Sequence, residues 1–245
     1  MVSFTELASR LKEFYNFDRD ELVGIITVIF ISAFIFSFRD WGDEQFNLVF
    51  GLTNFLILTL IASLSLLFRI SCQKIYGLSQ GQSVRFKIWW LGLFISLIIA
   101  FISAGKIPLI LAGASASAFM VKQRLGEYRY GFNYWINGIA SFWGILGNLI
   151  LALIFSIAAY FWSYNYILTK AIYFNLIMAF SALIPLPQLD GLNIYFGNRF
   201  LYLVAVFTTL IISILLLSRT KIGLVLAIFF GSIAGIIYIL IGSEV

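Results

Sequence analysis

Long apolar stretches, separated by only a few charged residues, constrain the fold of this chain more than any other feature. Hydrophobic residues make up 62% of the 245 residues and charged residues 11%, which excludes a soluble domain. A stretch of about 18 or more apolar residues is long enough to cross a bilayer. We therefore predict an all-α polytopic membrane protein with six to eight transmembrane helices. The uncharged stretches are 22–38, 45–68, 88–105, 107–121, 130–169, 171–189, 200–218 and 222–243.

Two segments are predicted to differ from simple spans. Residues 107–121 are rich in Gly, Ala and Ser, and three structures suit them: a short span, a re-entrant piece, or an extended segment packed within the protein. Residues 1–21 are charged but carry apolar residues at helical spacing, which predicts an amphipathic interfacial helix. Residues 22–245 are predicted to form a single transmembrane domain.

The placement of the basic residues predicts the orientation. The loop 69–87 has four basic residues and no acid, and the loop 122–129 has three against Glu127, whereas the loop 39–44 is mainly acidic. The positive-inside rule puts the first two loops in the cytoplasm and the third outside. We expect an integral protein of the plasma membrane with a cytoplasmic amino terminus. The lipid bilayer is its predicted environment, and nucleic acid is not a predicted partner because topology accounts for the basic residues.

A carboxylate at the end of a membrane helix is the first candidate for function. The run from Pro185 through Pro187 to Asp190-Gly191 follows the apolar stretch 171–184. The two prolines end the helix and the glycine permits a turn. An ionisable residue near the bilayer needs a partner or a function. The alternative is an interfacial loop in which water solvates Asp190.

Three further segments, together with this run, resemble the site-2 protease family of intramembrane zinc metalloproteases. Residues 69–74 end a long apolar stretch and are followed by Tyr76-Gly77 and a basic, aromatic segment 85–93; residues 144–153 form a Gly-x-x-Gly-Asn segment. All four occur in the order found in archaeal membrane members of the family. The resemblance covers about residues 45–200 and implies a site-2-protease-like helical core.

The resemblance also implies that the catalytic site is degenerate. In the family, His-Glu-x-x-His supplies two zinc ligands and a general base, and a distant aspartate supplies the third ligand. Here the corresponding residues are Arg69, Ile70 and Gln73, and only Asp190 is retained. The chain contains no histidine at all. We therefore predict no catalytic residue, no metal and no cofactor.

We predict that Arg69 replaces the lost metal charge by pairing with Asp190, with Gln73 hydrogen-bonded to the pair. The alternative is that Arg69 extends to the cytoplasmic interface and does not meet Asp190. Asn148, Pro185 and Pro187 would belong to the former substrate cleft. For Asn148 we favour a hydrogen bond between helices.

Two classes of function remain after these considerations. The first is an inactive site-2-protease-like protein that acts as a scaffold, a regulator or an accessory subunit and binds other membrane subunits or a transmembrane segment. The second is a transporter or channel component in which Arg69, Asp190 and Asn148 line a polar path. An enzyme with other chemistry is disfavoured because the chain has no histidine and few acids in its apolar stretches.

Overall fold

The computed structural model describes residues 4–41, 46–119, 134–162 and 165–243. Of these residues, 78% are helical. The two predicted loops 39–44 and 122–129 fall partly or wholly outside the described residues. The elements, in chain order, are α1 (Phe4–Phe14), α2 (Arg19–Ser37), α3 (Leu48–Ser79), β1 (Gln82–Ile88), α4 (Trp90–Ile102), β2 (Gly113–Phe119), α5 (Tyr134–Trp162), α6 (Tyr166–Leu183), α7 (Asp190–Gly197), α8 (Arg199–Leu217) and α9 (Lys221–Ser243).

Five of the helices in the described residues are long and apolar enough to cross a membrane: α2, α3, α5, α6 and α8. Helix α4 and the Lys221–Ile233 part of α9 are apolar but shorter. A mostly helical protein suited to membrane insertion is thus confirmed. The count of six to eight spans stays a prediction.

The amino-terminal segment differs from the predicted single helix over residues 1–21. Helix α1 ends at Phe14, and α2 begins at Arg19 after a short non-helical link. Glu21 belongs to the first turn of α2 and is buried, so the residues from 19 onward are part of the core rather than of an interfacial helix. Helix α1 packs on the end of α3, where the Arg10 guanidinium donates to the Leu78 carbonyl at 2.9 Å.

A two-stranded antiparallel sheet interrupts the helical architecture. Strand β2 pairs with β1 in a register that sets Phe86 opposite Ser115 and Ile88 opposite Gly113. Of the alternatives for residues 107–121, the extended one is confirmed for Gly113–Phe119, and the predicted helical membrane fold contains this small sheet. Gly113 permits the pairing: its φ is +143°, and a Cβ there would lie 2.1 Å from the Lys87 carbonyl oxygen.

Two apolar clusters form the core, and α6 contributes to both. One cluster joins α2, α3, α4, α6 and the sheet around Phe86, Leu93, Phe174 and Met178. The other joins α5, α6, α7, α8 and α9 around Phe142, Ile145, Leu176 and Ile194. Helix α6 thereby holds the sheet-bearing half of the molecule against the half that carries Asp190.

The length of α3 places its polar end near one membrane surface. The uncharged part of the helix before Arg69 is about 21 residues, or roughly 30 Å at 1.5 Å per residue, which matches the thickness of the hydrocarbon core. Asn47 caps the start of this helix by accepting a hydrogen bond from the Phe50 N–H at 3.1 Å. The polar residues from Arg69 to Lys74 therefore lie at the far end of the span.

Candidate functional site

Four side chains from three elements form a buried polar centre, defined as Arg69 and Gln73 of α3, Ser115 of β2 and Asp190 of α7. The Arg69 guanidinium pairs with Asp190 Oδ2, and only 3% and 1% of the two side chains are exposed. Gln73 Nε2 donates to the same carboxylate oxygen at 3.0 Å. The Ser115 N–H donates to Asp190 Oδ1 at 3.1 Å, and its hydroxyl donates to Gln73 Oε1. The predicted Arg69–Asp190 pair with Gln73 bonded to it is confirmed.

The chain between α6 and α7 delivers Asp190 to this centre. Helix α6 ends at Leu183, and the two prolines follow in the exposed segment 185–188. Gln188 has a φ of +65°, which turns the chain back toward the core. Gly191 is required because a Cβ there would lie 2.2 Å from the Leu183 carbonyl oxygen. The carboxylate can therefore approach α3 only because residue 191 has no side chain.

Close packing of α5 on α3 sets the position of Gln73. A Cβ at Gly144 would lie 2.3 Å from Gln73 Nε2, and one at Gly147 would lie 3.2 Å from the Cys72 Sγ. The Gly-x-x-Gly segment that carries the family resemblance is thus a contact surface for α3. It fixes the side chain of Gln73 beside Asp190.

Asn148 does not form the helix–helix hydrogen bond that we predicted. It is fully buried, and neither its amide nitrogen nor its amide oxygen has a partner among the described residues. The Nε of Arg69 also has no hydrogen-bond partner among the described residues. α3 approaches this turn of α5 closely, since a Cβ at Gly147 would lie 3.5 Å from the Arg69 Cα, but the approach gives Asn148 no hydrogen-bond partner among the described residues.

The other predicted site residues are not in the polar centre. Ile70 is buried in the apolar cluster of α2, α3 and α6 and is not part of the hydrogen-bond network around Asp190. Pro185 and Pro187 are exposed and terminate α6 without touching the pair. The structure therefore brings together three of the predicted residues, Arg69, Gln73 and Asp190.

Sequence reasoning missed a second layer of polar residues along β2. Asn193 Nδ2 donates to the Ser115 carbonyl at 3.3 Å and to the Ser141 hydroxyl at 3.2 Å. Asn137 Oδ1 accepts from the Ser117 N–H at 3.1 Å. Two asparagines thus satisfy backbone groups on the free edge of β2. The sequence signal for Asn193 is its position three residues after Asp190, on the same face of a helix.

A second buried ion pair lies on the opposite edge of the sheet and was also missed. Glu21 Oε2 is 2.9 Å from Lys74 Nζ, and Glu21 Oε1 accepts from the Phe86 N–H at 2.9 Å. Lys74 also donates to the Asn16 carbonyl at 2.7 Å and lies 4.4 Å from the centre of the Phe17 ring. The two buried carboxylates beside the sheet, Asp190 and Glu21, are therefore each paired with a cation of α3.

A small cavity of about 200 Å³ adjoins the polar centre on the outer face of the sheet. Ala114 and Ala116 form its floor because their short side chains leave space there. Lys87, Asn137, Gln188 and Asn193 supply the polar groups around it. The cavity is large enough for one side chain or a few waters and suits a polar or acidic group.

No group of three or more His, Cys, Asp or Glu side chains that could hold a metal occurs within the described ranges. Asp190 is already engaged by three donors. The arrangement can therefore act as a neutral, hydrogen-bonded connection between α3, β2 and α7.

No family model, no curated protein and no solved structure matches this chain.

Proposed function

We propose that this chain is a catalytically inactive, site-2-protease-like membrane protein that acts by binding other membrane proteins. It would serve as a scaffold, a regulator or an accessory subunit. The observation that carries the proposal is the convergence of Arg69, Gln73 and Asp190. All three correspond to positions of the zinc motif in the resemblance. Arg69 and Asp190 lie 121 positions apart in the chain, and nevertheless the three share one buried hydrogen-bond network.

The chemistry at these positions supports inactivity. Arg69 carries a permanent positive charge where the resemblance would put a zinc ligand. Ile70 has no proton-accepting group where the resemblance would put the general base. Gln73 is a neutral amide in place of the second histidine. A hydrolytic reaction of the metalloprotease type has no nucleophile or base to use here.

The cavity on the outer face of the sheet supports a binding role. Because Ser115 and Ser117 donate their N–H groups to Asp190 and Asn137, an incoming strand cannot pair with β2 at these residues. A transmembrane segment of a partner would instead rest against Ala114 and Ala116 and insert one polar side chain into the cavity. Lys87 would favour an acidic group there.

A zinc-binding assay tests the inactive-protease part of the proposal. The variant Arg69→His/Ile70→Glu/Gln73→His restores the motif, and Arg69→His/Gln73→His restores both histidines without adding a buried acid. We expect about one zinc per chain in both variants, none in the native chain, and loss of zinc when Asp190→Asn is added. Stoichiometric zinc in the native chain, or none in either variant, would contradict the proposal.

Purification in a mild detergent tests the binding part. We expect a stoichiometric membrane partner to co-purify with the full chain, and a photo-crosslinker at exposed Gln188 to label that partner. The matched control is a crosslinker at Phe229, which lies on α9 far along the chain and is also exposed. A chain that purifies alone and gives equal labelling from both positions would refute the binding role.

A transporter or channel component remains the second candidate, and one observation favours it. Asn148 and the Arg69 Nε have no hydrogen-bond partner among the described residues, although both are buried. Polar atoms of this kind can line a hydrated path. Solute uptake by liposomes that contain only this chain, abolished by Asn148→Leu, would favour this candidate over the scaffold.

We also propose the plasma membrane as the location, with a cytoplasmic amino terminus. Support comes from Arg85 and Lys87, the exposed basic residues of β1; Arg69 and Lys74 of the predicted basic loop 69–87 instead lie in α3 and are buried in ion pairs. A cysteine added at the amino terminus of a Cys72→Ser background should be labelled by an impermeant maleimide only after the cells are opened. Labelling in intact cells would reverse the orientation.

A further inference from the structure

A second cavity lies at the opposite end of α2 from Glu21, where α2 and α4 end and α6 begins. It has a volume of about 250 Å³ and is lined by three cations, Arg39, Lys106 and Lys170. Thr169, Phe36 and Tyr173 complete most of its wall. This site is separate from the polar centre and from the proposed binding cavity, so its argument does not depend on the proposed function.

Within the described residues, two of the three cations around this cavity form no ion pair. Lys170 is 2.7 Å from Asp40 Oδ2 and donates to the Phe36 carbonyl at 3.2 Å. Arg39 and Lys106 are exposed, and neither forms an ion pair with a residue in the described ranges. Three cations against the single carboxylate of Asp40 give the described part of this cluster a net charge of about +2.

A tight turn fixes the cations beside one another. Ala104 and Gly105 have φ values of +48° and +71°, and the Gly105 N–H donates to the Ala100 carbonyl at 2.7 Å. A Cβ at Gly105 would lie 2.9 Å from Arg39 Cγ, so the turn packs directly on the end of α2. Lys106 follows the glycine and therefore faces the same cavity as Arg39.

Membrane topology does not account for these basic residues. The positive-inside rule applies to the exposed bases Arg85 and Lys87 of β1, which lie at the other end of α2, where Arg85 pairs with Asp18. Cations around a concave site, with a threonine hydroxyl nearby, are suited to the oxygen atoms of a phosphate. Phe36, Pro108 and Tyr173 supply apolar walls: Phe36 lies at the end of α2, Pro108 in the segment after α4 and Tyr173 two turns into α6, so an acyl chain could pack beside the headgroup.

We propose that this cavity binds the phosphate of an anionic membrane lipid. Arg39 and Lys106 contact the phosphate oxygens, Thr169 donates a hydrogen bond, and the acyl chains lie along α4 and α6. Basic pockets between membrane helices are a recognised form of lipid headgroup site. The site would hold one lipid at the junction of three helices and stabilise their packing.

Thermal unfolding of the full chain in detergent tests this site. The full chain includes the acids Asp43 and Glu44, which follow Arg39 in the sequence, so the measurement reports the site with their charges present. The chain is titrated separately with phosphatidylglycerol, phosphatidylcholine and sodium phosphate. The pocket variant is Arg39→Gln/Lys106→Gln. The matched control, Lys12→Gln/Arg19→Gln, removes the same two charges from exposed positions in α1 and α2.

We expect phosphatidylglycerol, but not phosphatidylcholine, to raise the unfolding midpoint of the native chain in a saturable way. The pocket variant should need about 30-fold more lipid for half-saturation, because each basic residue contributes about fivefold to binding of an anionic lipid. The control should behave like the native chain. If the double variant does not fold, Lys106→Gln alone should show about a fivefold effect.

Three outcomes would overturn the proposal. Absence of a phosphatidylglycerol effect in the native chain shows that the cavity takes no anionic lipid. Equal stabilisation by sodium phosphate shows that the ligand is a free phosphate group. An equal loss in the control variant shows that the effect follows total charge and does not come from this cavity.

Discussion

Breaking the Arg69–Asp190 pair is the most direct perturbation of the polar centre. In Asp190→Asn the carboxylate charge is lost while Arg69, only 3% exposed, stays buried. Two charge-assisted hydrogen bonds converge on Asp190 Oδ2, and at about 1.5–3 kcal/mol each they correspond to roughly 3–6 kcal/mol. Removal of one partner from a buried pair typically costs about 3–5 kcal/mol, which agrees with this figure.

The assay is a double-mutant cycle on the free energy of unfolding, measured in mixed detergent micelles. Arg69→Met and Asp190→Asn are each expected to cost about 3–5 kcal/mol. The double variant has no buried net charge, so it should cost at least about 3 kcal/mol less than the sum of the two single variants. The matched surface control is Asp18→Asn, whose pair with Arg85 is 42% and 59% exposed. It should cost less than about 1 kcal/mol.

Additivity would refute the reasoning. If the two single effects sum in the double variant, the residues are not energetically coupled, whatever their separation. If each single variant costs no more than Asp18→Asn, water must solvate the pair, and the polar centre is not a connection between α3 and α7.

Three further substitutions test neighbouring features by the same unfolding assay. Glu21→Gln should cost about 3 kcal/mol or more, because the lysine of α3 is left buried without its counter-ion; a cost below 1 kcal/mol would contradict this. Gly144→Ala should cost about 1–3 kcal/mol because its methyl group would overlap Gln73, whereas Gly235→Ala, with nothing within 4 Å, should be neutral or stabilising. Equal effects of the two would contradict the packing argument. Asn47→Ala should cost about 1 kcal/mol by loss of the α3 cap, and no change would contradict that role.

The sequence predicts the helical part of the fold well because each long span is determined locally. An apolar stretch of sufficient length forms a helix in a bilayer whatever its neighbours are, since every backbone group must be satisfied within the segment. The described spans α2, α3, α5, α6 and α8 each lie largely within a stretch selected by hydropathy alone.

The sheet was harder to predict because its two strands give weak and different signals. Residues 82–88 alternate polar and apolar, with Val84, Phe86 and Ile88 on one face, but the family resemblance assigns residues 85–93 only to a basic, aromatic segment. Residues 113–119 are all small except for the last, and their alternation of Ala with Ser at 114–118 is a weak signal because neither side chain is strongly apolar. The paired residues of the two strands lie 25 positions apart at Ile88 and Gly113 and 37 apart at Gln82 and Phe119, so their pairing depends on tertiary structure, which local patterns do not encode.

Only the charged residues of the polar centre, Arg69 and Asp190, could be paired from the sequence by the need to neutralise a buried charge. A buried acid such as Asp190 requires a counter-ion, and Arg69 was the basic residue that the resemblance placed near it. The partners Ser115 and Asn193 contribute backbone and amide groups, which carry no net charge and have no distinctive spacing. Glu21 was assigned to an interfacial helix because it lies among other charged residues, and its burial becomes evident only from the structure.

The two ion pairs together explain why the sheet is stable between the helices. Phe86 and Ser115 are opposite each other in the register, and each directs its N–H away from the partner strand. The Phe86 N–H donates to Glu21 and the Ser115 N–H donates to Asp190. Each outer edge of the sheet is therefore hydrogen-bonded to a carboxylate at this pair of opposite residues. The two neutralising cations, Lys74 and Arg69, both belong to α3. Because one helix balances both edges, a rotation of α3 that weakens one pair must also displace the other. The sheet, α3 and α7 therefore behave as one unit, which is the property that a binding scaffold requires of the surface it presents.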